Sequence, residues 1–523
     1  MTRLTRRAAL AGATAVTGAA ALPRFAIGQA DNRPTITVAV QKISNTNTFS
    51  ALREQSNVGT RVATLITERL IDLNYQSKLE PVPGLATEWK RLSDTTVEFK
   101  LRPGVKFHNG DEMTAEDVAF TFGPERLLNA DAPTRGELGR YMGPIERVEA
   151  VDRYTARVVM HADNPVIEAL FAQWAAAIIN RRAYLAAGSF EAWMRASVGT
   201  GPYRLRELTP GRHVILDAHA AYWGSKPHFE RLVFQVVPEV STRISGVIAG
   251  SLDIAADIPV DQLRRVQGRR EARAVGGPVN NMRAIYLSRR DNPLMRDVPL
   301  RRALGLAIDR QRITRALWGG HPTVPEGMQW PTMGAIRIES RDWPHAATFD
   351  PDEARRQLAT SAYRGEPLNW TLMNNYYINE VATAEAMVEM WRAVGINVRL
   401  NVVENRAQVN TAPLDLRNTS MNYDDFPDPF PILGQFGRGG FVSATHRWWQ
   451  NDEVDRLGDE MMATIDPAVR KAAWHRILRL IEWDDPAVLV LHTTAAFHIA
   501  RSDLAWTPAN GHWPRMQLAI ARR

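Results

Sequence analysis

The sequence predicts an α/β protein with at least two lobes, and the length and one βαβ pattern support this. A chain of 523 residues with 45% apolar residues exceeds what a single hydrophobic core usually organises. Residues 368–403 have the pattern of a βαβ unit, which is typical of open α/β sheets. The chain contains no cysteine, which excludes disulfide bonds, thiolate metal sites and cysteine nucleophiles.

The first thirty residues have the pattern of an export signal. A basic start that includes Arg6 and Arg7 precedes an uncharged run from Ala8 to Leu22, and small side chains near Ala30 suit cleavage there. The run is too short and too rich in alanine to span a bilayer. The arginine pair resembles a twin-arginine signal. We therefore expect residues 1–30 to be removed on export to the periplasm.

The charge pattern argues against nucleic-acid binding. The net charge of the whole chain is +7. Removal of the four arginines of the predicted export signal leaves +3 for the mature chain. The remaining basic residues are dispersed beside acidic ones, as on a solvated surface, and form no basic run.

The segment from Gly84 to Phe122 predicts a compact module. Thr96–Leu101 alternates as a half-buried strand, and a turn at Pro103-Gly104 leads to a second short strand, Val105–Phe107. Thr114 followed three residues later by Asp117 predicts a capped helix start.

Three acidic residues elsewhere are explained by helix initiation. Asp297 and Asp350 each precede a proline at the start of an apolar helical pattern, and Asp309 precedes a shorter one. We therefore predict that they cap helices and hold no metal.

The βαβ unit supplies the first candidate ligand-binding residues. Its strand 368–373 is followed by an amphipathic helix that ends at Gly395, and by an alternating strand from Ile396. Ligands of open α/β sheets lie beyond the carboxyl ends of the strands. That position holds Asn374, Asn375, Tyr376 and Tyr377. The alternative is a plain loop with solvent-facing asparagines and buried tyrosines.

A stiff acidic loop supplies the second candidate. Prolines and aspartates in MNYDDFPDPFPIL, residues 421–433, forbid a continuous helix. A carboxylate on such a loop is a preorganised anchor for a cationic ligand group. The loop offers the carboxylates of Asp424, Asp425 and Asp428, with Tyr423 beside them; the alternative for Asp425 is a turn-forming role.

No arrangement of residues predicts catalysis. The chain contains no HExxH, SxxK, GxSxG or GxxxxGK pattern. The histidine pairs 213/219 and 492/498 are separated by six residues, which does not bring them together on a regular element. We therefore predict no enzymatic activity, cofactor or metal; a hydrolase that uses scattered aspartates is the competing class.

Five segments together resemble the family 5 extracellular solute-binding proteins of ATP-driven (ABC) importers, which include dipeptide, oligopeptide and nickel receptors. These segments are residues 84–122, 199–205, 221–237, 249–255 and 297–313. The resemblance implies a two-lobed periplasmic binding protein of type II, in the large cluster with an inserted subdomain, with a hinge of two crossing strands. It also implies a monomer that works with an ABC permease in the inner membrane.

The resemblance implies specific domain boundaries. Lobe I is expected at residues 31–277 plus 498–523, with the inserted subdomain at about 72–190, and lobe II at residues 278–497. The crossings are expected near Asn281–Leu287 and Val488–His498.

The resemblance also implies a ligand. In peptide-binding relatives an aspartate three positions before an acidic-Pro pair holds the ligand's α-amino group, and Asp425 has this spacing to Asp428-Pro429. The arginine that dipeptide receptors present near the region of Asn374–Tyr377 is missing from the sequence NNYYINE. We therefore expect a peptide or an amino-acid-derived solute, with a saccharide, nickel or a metallophore as alternatives.

Overall fold

The computed structural model describes residues 35–44, 57–74, 80–135, 138, 142, 144–162, 164–173, 176–343, 347–374, 376–421, 428–506, 508 and 521–522. The predicted export signal lies outside these residues. Among the candidate ligand-binding residues, Asn375, Tyr423 and Asp425 also lie outside them.

The strands are β1 (Thr35–Val40), β2 (Ile71–Leu73), β3 (Pro81–Pro83), β4 (Ala86–Ser93), β5 (Thr96–Leu101), β6 (Ile145–Asp152), β7 (Thr155–Met160), β8 (Tyr203–Thr209), β9 (His213–Ala218), β10 (Arg231–Val236), β11 (Ile254–Ala255), β12 (Ala272–Leu287), β13 (Leu368–Met373), β14 (Val398–Val403), β15 (Leu416–Met421), β16 (Val488–Arg501), β17 (Leu504–Ala505) and β18 (Ala521–Arg522). Ten of them form one mixed sheet in the order β14-β13-β15-β12-β16-β11-β1-β10-β9-β8. A four-stranded sheet has the order β4-β5-β7-β6, and β2 with β3 and β17 with β18 form two small pairs.

The α-helices are Asn57–Ile66, Ala115–Thr121, Ile167–Leu170, Arg181–Ala186, Phe190–Ala196, Val240–Ile248, Val298–Leu306, Arg310–Trp318, Pro351–Thr360, Glu380–Ala393, Arg406–Thr411, Phe430–Phe436, Asp452–Met462 and Pro467–Arg479. Short 3₁₀ or π turns occupy Pro124–Leu128, Val260–Val266, Pro293–Arg296, Pro331–Ile336, Ser340–Asp342, Phe441–Thr445 and Leu480–Asp484. Within the described ranges, no helix has the length and apolar character needed to cross a membrane.

The predicted helix caps are confirmed. The carboxylates of Asp297, Asp309 and Asp350 each accept a hydrogen bond from the backbone N–H three residues later. Asp117 accepts one from the backbone N–H of Thr114 at 2.9 Å. Local sequence is sufficient for these predictions, because a cap satisfies backbone groups within its own helix.

The prediction of a second short strand at Val105–Phe107 is wrong. Only a single bridge joins Lys106 to Glu112 there. The strands that pair with β5 are β4, which precedes it, and β7; half-buried Trp89 of β4 lies opposite Phe99. Positive φ angles at the flanking Gly104 and Gly110 turn the chain twice, and this leaves too few residues for a ladder.

The ten-stranded sheet narrows to two strands in its middle. β15 pairs with residues 282–287 of β12, while β11 pairs with Ile499 and Ala500 of β16. Between these ladders, residues 275–279 of β12 pair only with residues 494–498 of β16, as far as the described strands show. We call this two-stranded part the hinge ribbon. It confirms the predicted hinge of two crossing strands. Its β16 part lies within the predicted Val488–His498, whereas its β12 part, residues 275–279, precedes the predicted Asn281–Leu287, because residues 282–287 are already paired with β15.

Helices and loops cover both faces of the sheet on each side of the hinge ribbon. The half formed by β12–β16 packs one face on the helices Val298–Leu306 and Glu380–Ala393, and the other on Phe430–Phe436 and Pro467–Arg479. The half that contains β1 and β8–β11 likewise has an apolar cluster on each face. A further core lies under the four-stranded sheet of residues 86–160. The predicted lobe boundaries stay a prediction.

The hinge ribbon contains two adjacent glycines, and we predict that a side chain is tolerated at one of them and not at the other. Gly276 has a φ of 113°, and a Cβ atom there would lie 2.1 Å from the carbonyl oxygen of Ala496. We expect Gly276→Ala to lower the free energy of unfolding by about 1–3 kcal/mol, because both the backbone angle and the contact are unfavourable. Urea-induced unfolding followed by circular dichroism measures this change.

Gly277→Ala is the matched control, because a Cβ atom at Gly277 has no neighbour within 4 Å. We expect its effect to stay within about 0.5 kcal/mol. Equal effects of the two substitutions would contradict the close packing of the ribbon at Gly276.

Candidate ligand-binding cleft

The parallel strands on both sides of the hinge ribbon direct their carboxyl ends toward it. β13, β14 and β15 are parallel to one another, and the last residue of β15, Met421, pairs with Met282 of β12, beside the ribbon. On the other side, β1, β10 and β11 are parallel, and the end of β11 at Ala255 pairs with Ile499. Because ligands bind beyond the carboxyl ends of such strands, the candidate cleft lies at the ribbon.

The turn between β13 and the helix Glu380–Ala393 has the predicted position. The helix leads into β14, which is parallel to β13, so the βαβ unit is confirmed. Asn374 donates its backbone N–H to the Val403 carbonyl at 2.7 Å. Tyr376 and Tyr377 are half-buried, with ring centroids 4.4 Å apart in an edge-to-face arrangement. The turn therefore presents one amide and two phenols at the strand ends.

A cation that sequence reasoning missed lies against this turn. Arg283 of β12 places its guanidinium carbon 3.5 Å from the centroid of the Tyr377 ring. Its side chain is 9% exposed, and burial lowers the pKa of the guanidinium, while Tyr377 and Glu380 favour the charged form. The sequence did contain a signal for this cation, because a charged arginine stands between Met282 and Ala284 in a strand predicted to cross the hinge.

A small cavity lies beside Arg283, between the sheet and the helices Arg310–Trp318 and Glu380–Ala393. Its volume is about 30 Å³, enough for a water molecule or a small ligand group but not for a whole solute. The lining residues are Arg283, Ala284, Ile285, Trp318, Trp370, Tyr377, Ile378, Glu380, Thr383, Asn418, Thr419, Leu491 and His492. Of the predicted residues, Tyr377 reaches this cavity.

His492 also lines the cavity, and its side chain is uncharged. Burial lowers the pKa of its imidazole to about 4. Its Nδ1 lies 2.5 Å from the Thr493 carbonyl oxygen, so Nδ1 carries the proton and donates a hydrogen bond to that oxygen. The ring centroid lies 5.6 Å from that of Trp318. At neutral pH Arg283 is therefore the cationic group of the cavity lining.

On the other side of the hinge ribbon, a buried ion pair follows β11. Arg61 donates to the Asp257 carboxylate at 2.8 Å, with side-chain exposures of 1% and 4%. Burial opposes ionisation of Asp257, but Arg61 and His498 hold the pKa of this carboxyl below its usual range. Asp257 has a positive φ of 55°. Since its charges are balanced, the pair fixes the chain at the end of β11.

Beyond β15 the described chain resumes at Asp428, near the end of the segment that the sequence predicts to be an acidic loop. The Asp428 carboxylate accepts a hydrogen bond from the backbone N–H of Phe430 at 2.9 Å and forms a buried ion pair with Arg470. Burial raises the pKa of Asp428, whereas Arg470 acts in the opposite direction. Asp428 therefore stabilises the protein at the end of residues 422–427, which include the candidates Tyr423 and Asp425.

Metal-ligating side chains are dispersed in the part of the chain that the structure describes. No group of three or more histidine, aspartate or glutamate side chains there has the geometry to hold a metal ion.

Comparison with known proteins identifies the class to which this fold and cleft belong. The profile of the bacterial extracellular solute-binding proteins, family 5 Middle, matches residues 80–443, well over half of the chain. The chain therefore belongs to family 5 of the extracellular solute-binding proteins of ABC importers, and the predicted fold class and family are confirmed.

A curated relative covers most of the chain. It is the protein of Escherichia coli K12 named "Probable D,D-dipeptide-binding periplasmic protein DdpA". The two sequences are 25% identical over 427 residues, which span 78% of each chain.

Two solved structures have the same fold. The dipeptide-binding protein from Pseudoalteromonas sp. SM9913 in complex with Met-Leu has a TM-score of 0.79 and 22% identity, covering 93% of this chain and 99% of that one. The protein AgaA from A. tumefaciens R10 in complex with agropinic acid has a TM-score of 0.80 and 17% identity, covering 94% and 99%. At these identities the likeness concerns the fold alone.

The buried ion pair of Asp428 and Arg470 predicts a large effect of a single substitution. Arg470→Met leaves the Asp428 carboxylate buried without its counterion, so we expect the free energy of unfolding to fall by about 3–5 kcal/mol. Urea-induced unfolding followed by circular dichroism measures the loss.

Arg456→Met is the control, because Arg456 pairs with Glu460 on an exposed helix face at 3.2 Å. We expect a change within about 0.5 kcal/mol. A similar change in the free energy of unfolding of both variants would show that the buried pair stabilises the protein no more than the exposed pair does.

Proposed function

We propose that the mature chain is the periplasmic solute-binding component of an ABC importer. It captures a small peptide, or a peptide-like solute derived from an amino acid, in the cleft between its two lobes and delivers it to the permease of the inner membrane. The observation that carries this proposal is the convergence of parallel strands from both halves of the sheet on a two-stranded ribbon. Family membership supports it.

Binding would couple to closure of the cleft through the hinge ribbon. A two-stranded connection bends more easily than a wide sheet, and the paired backbones keep their hydrogen bonds while it bends. A ligand that contacts both lobes binds the closed form better and shifts the population toward it. This mechanism needs no covalent chemistry, so the proposed function is not enzymatic.

The candidate residues divide into two groups by their chemistry. Asn374, Asn375, Tyr376 and Tyr377 offer amides and phenols for a polar ligand with apolar surface. Asp425, with Tyr423 beside it, offers a carboxylate for the α-amino group of the ligand. A charge-assisted hydrogen bond of this kind contributes about 1.5–3 kcal/mol in a closed cleft.

The same proposal includes the processing and organisation of the chain. Residues 1–30 direct export, by the twin-arginine route, and are cleaved near Ala30. Lobe I comprises residues 31–277 and 498–523, with the inserted subdomain at about 72–190, and lobe II comprises residues 278–497. The mature protein works as a monomer.

The role of Asp425 leads to a specific prediction. We expect Asp425→Ala to weaken binding of an amine-bearing ligand at least tenfold, equivalent to about 1.4 kcal/mol, without loss of the thermal unfolding transition. The reason is the loss of the carboxylate that pairs with the ligand ammonium group. Isothermal titration calorimetry with the captured solute measures the affinity.

Asp424→Ala is the matched control, since this neighbour lacks the spacing to Asp428-Pro429. We expect its affinity to stay within about twofold of the wild type, or about 0.4 kcal/mol. Unchanged affinity of Asp425→Ala would overturn the assignment of the ammonium anchor.

The proposed ligand class has a direct test. We expect mass spectrometry of solute released by denaturing protein from its native periplasm to detect a short peptide or an amino-acid conjugate. Release of a saccharide or of a nickel complex would replace the peptide class by that solute. Turnover of candidate peptides by the purified protein would instead favour a hydrolase.

A further inference from the structure

The segment of residues 261–273 concentrates positive charge, unlike the dispersed pattern of the remaining chain. Its basic residues are Arg264, Arg265, Arg269, Arg270 and Arg273. Against these five arginines stand two acidic residues, which gives the segment a net charge of +3. The expected mature chain also has a net charge of +3, so all its other residues together are neutral.

The first four of these arginines have no acidic partner. All four side chains are exposed, and none forms an ion pair with a described residue. Arg269 Nε donates to the backbone carbonyl of Arg265 at 3.0 Å, which connects one pair of successive arginines to the other. Their positive charges are therefore available to an anion from outside the chain.

At three other places in the described chain, successive arginines are neutralised locally. Arg355 and Arg356 pair with the carboxylates of Asp352 and Glu353, each at 2.6 Å. The other two pairs with acidic partners are Arg181 with Arg182 and Arg289 with Arg290. Close like charges repel each other, and neighbouring acids offset that repulsion. The repulsion within residues 264–270 is not offset in this way, and a bound anion would relieve it.

Both unneutralised arginine pairs contribute to the lining of a groove of about 450 Å³. Arg264, Arg269 and Arg273 belong to this lining, and none of the described lining residues is acidic. Clefts of about 300–1,000 Å³ are typical of sites that take a small molecule. The groove therefore has the volume and the charge to hold a phosphate-bearing head group.

Buried contacts hold the backbone of the groove in place. Val266 and Ala272 are buried in one apolar cluster. Arg273 Nη2 donates to the carbonyl oxygens of Leu504 and Trp506 at 2.8 and 2.9 Å. Because the backbone is fixed, the exposed guanidinium groups are already close together, and less entropy is lost when they surround an anion.

We propose that this surface, the basic groove, binds the phosphate groups of anionic phospholipids in the membrane that holds the permease. A guanidinium group binds phosphate oxygens through two parallel hydrogen bonds. The proposal rests on the proposed function, which brings the protein to a membrane, and adds a lipid partner to it.

The charge distribution favours a membrane surface as the partner. Since the rest of the mature chain is neutral overall, a negatively charged plane attracts the protein through the basic groove and orients it. Basic residues near an anionic membrane each strengthen binding, within about 10 Å at 0.1 M salt. Four exposed arginines within seven residues can contact several head groups of one surface at once.

The test is co-sedimentation of the mature protein with vesicles, either of phosphatidylcholine alone or of phosphatidylcholine mixed with phosphatidylglycerol. We expect the wild type to bind the mixed vesicles at least tenfold more tightly than the neutral ones. The double variant Arg264→Gln/Arg269→Gln should lose at least tenfold in affinity for mixed vesicles, because two charges of the groove are removed. Arg264→Lys/Arg269→Lys should stay within about threefold of the wild type, since it retains both charges.

Arg355→Gln/Arg356→Gln is the matched control. It removes the same number of positive charges from two successive, exposed arginines that already have acidic partners. We expect its affinity for mixed vesicles to stay within about twofold of the wild type.

Equal binding of the wild type to both kinds of vesicle would overturn the lipid site. An equal loss of affinity in the two glutamine variants would do the same, because the attraction would then follow net charge alone. Calorimetric binding of inorganic phosphate without any binding of vesicles would replace the lipid by a soluble anion and also overturn the proposal.

Mass spectrometry of captured solute distinguishes this proposal from the proposed function. Solute retained by a wild type that binds no vesicles would overturn the lipid site and leave the solute receptor intact. Absence of solute from a wild type that binds mixed vesicles would overturn the receptor and leave the lipid site intact.

Discussion

The pairing of β12 with β16 is the constraint on which the rest of the structure depends. Each strand belongs to both halves of the main sheet, and between the flanking ladders the two pair with each other alone within the described residues. Their antiparallel register orients the parallel strands on either side, so that both sets of carboxyl ends meet at the hinge ribbon. The position of the cleft is therefore a consequence of strand pairing.

The buried charges near the hinge ribbon have different surroundings. Arg61 with Asp257, and Asp428 with Arg470, are buried pairs in which each charge has its counterion. Arg283 instead faces an aromatic ring and a small cavity. Because each charge of the first two pairs has its counterion, these pairs stabilise chain segments beside the cleft, whereas Arg283 shares its cavity lining with the Glu380 carboxylate.

The accuracy of sequence reasoning depended on how local each interaction is. The caps at Asp297, Asp309 and Asp350 and the βαβ unit were predicted correctly, because hydrogen bonds within a helix and apolar periodicity determine them. The strand at Val105–Phe107 was wrong because its ladder needs a partner that the turns exclude. Tyr377 was a candidate from its place after β13, but its contact with Arg283 was not predicted, since it joins residues far apart in sequence.

The sequence by itself determined the family, the α/β class and the local elements, because motifs, caps and periodicity are properties of neighbouring residues. It also named Asn374, Tyr376 and Tyr377 as residues at a strand-to-helix turn. Only the tertiary structure decided that Arg283, Trp318 and Trp370 surround one cavity at that turn. The physical reason is that strand order and register, which involve long-range pairing of the backbone, bring these side chains together.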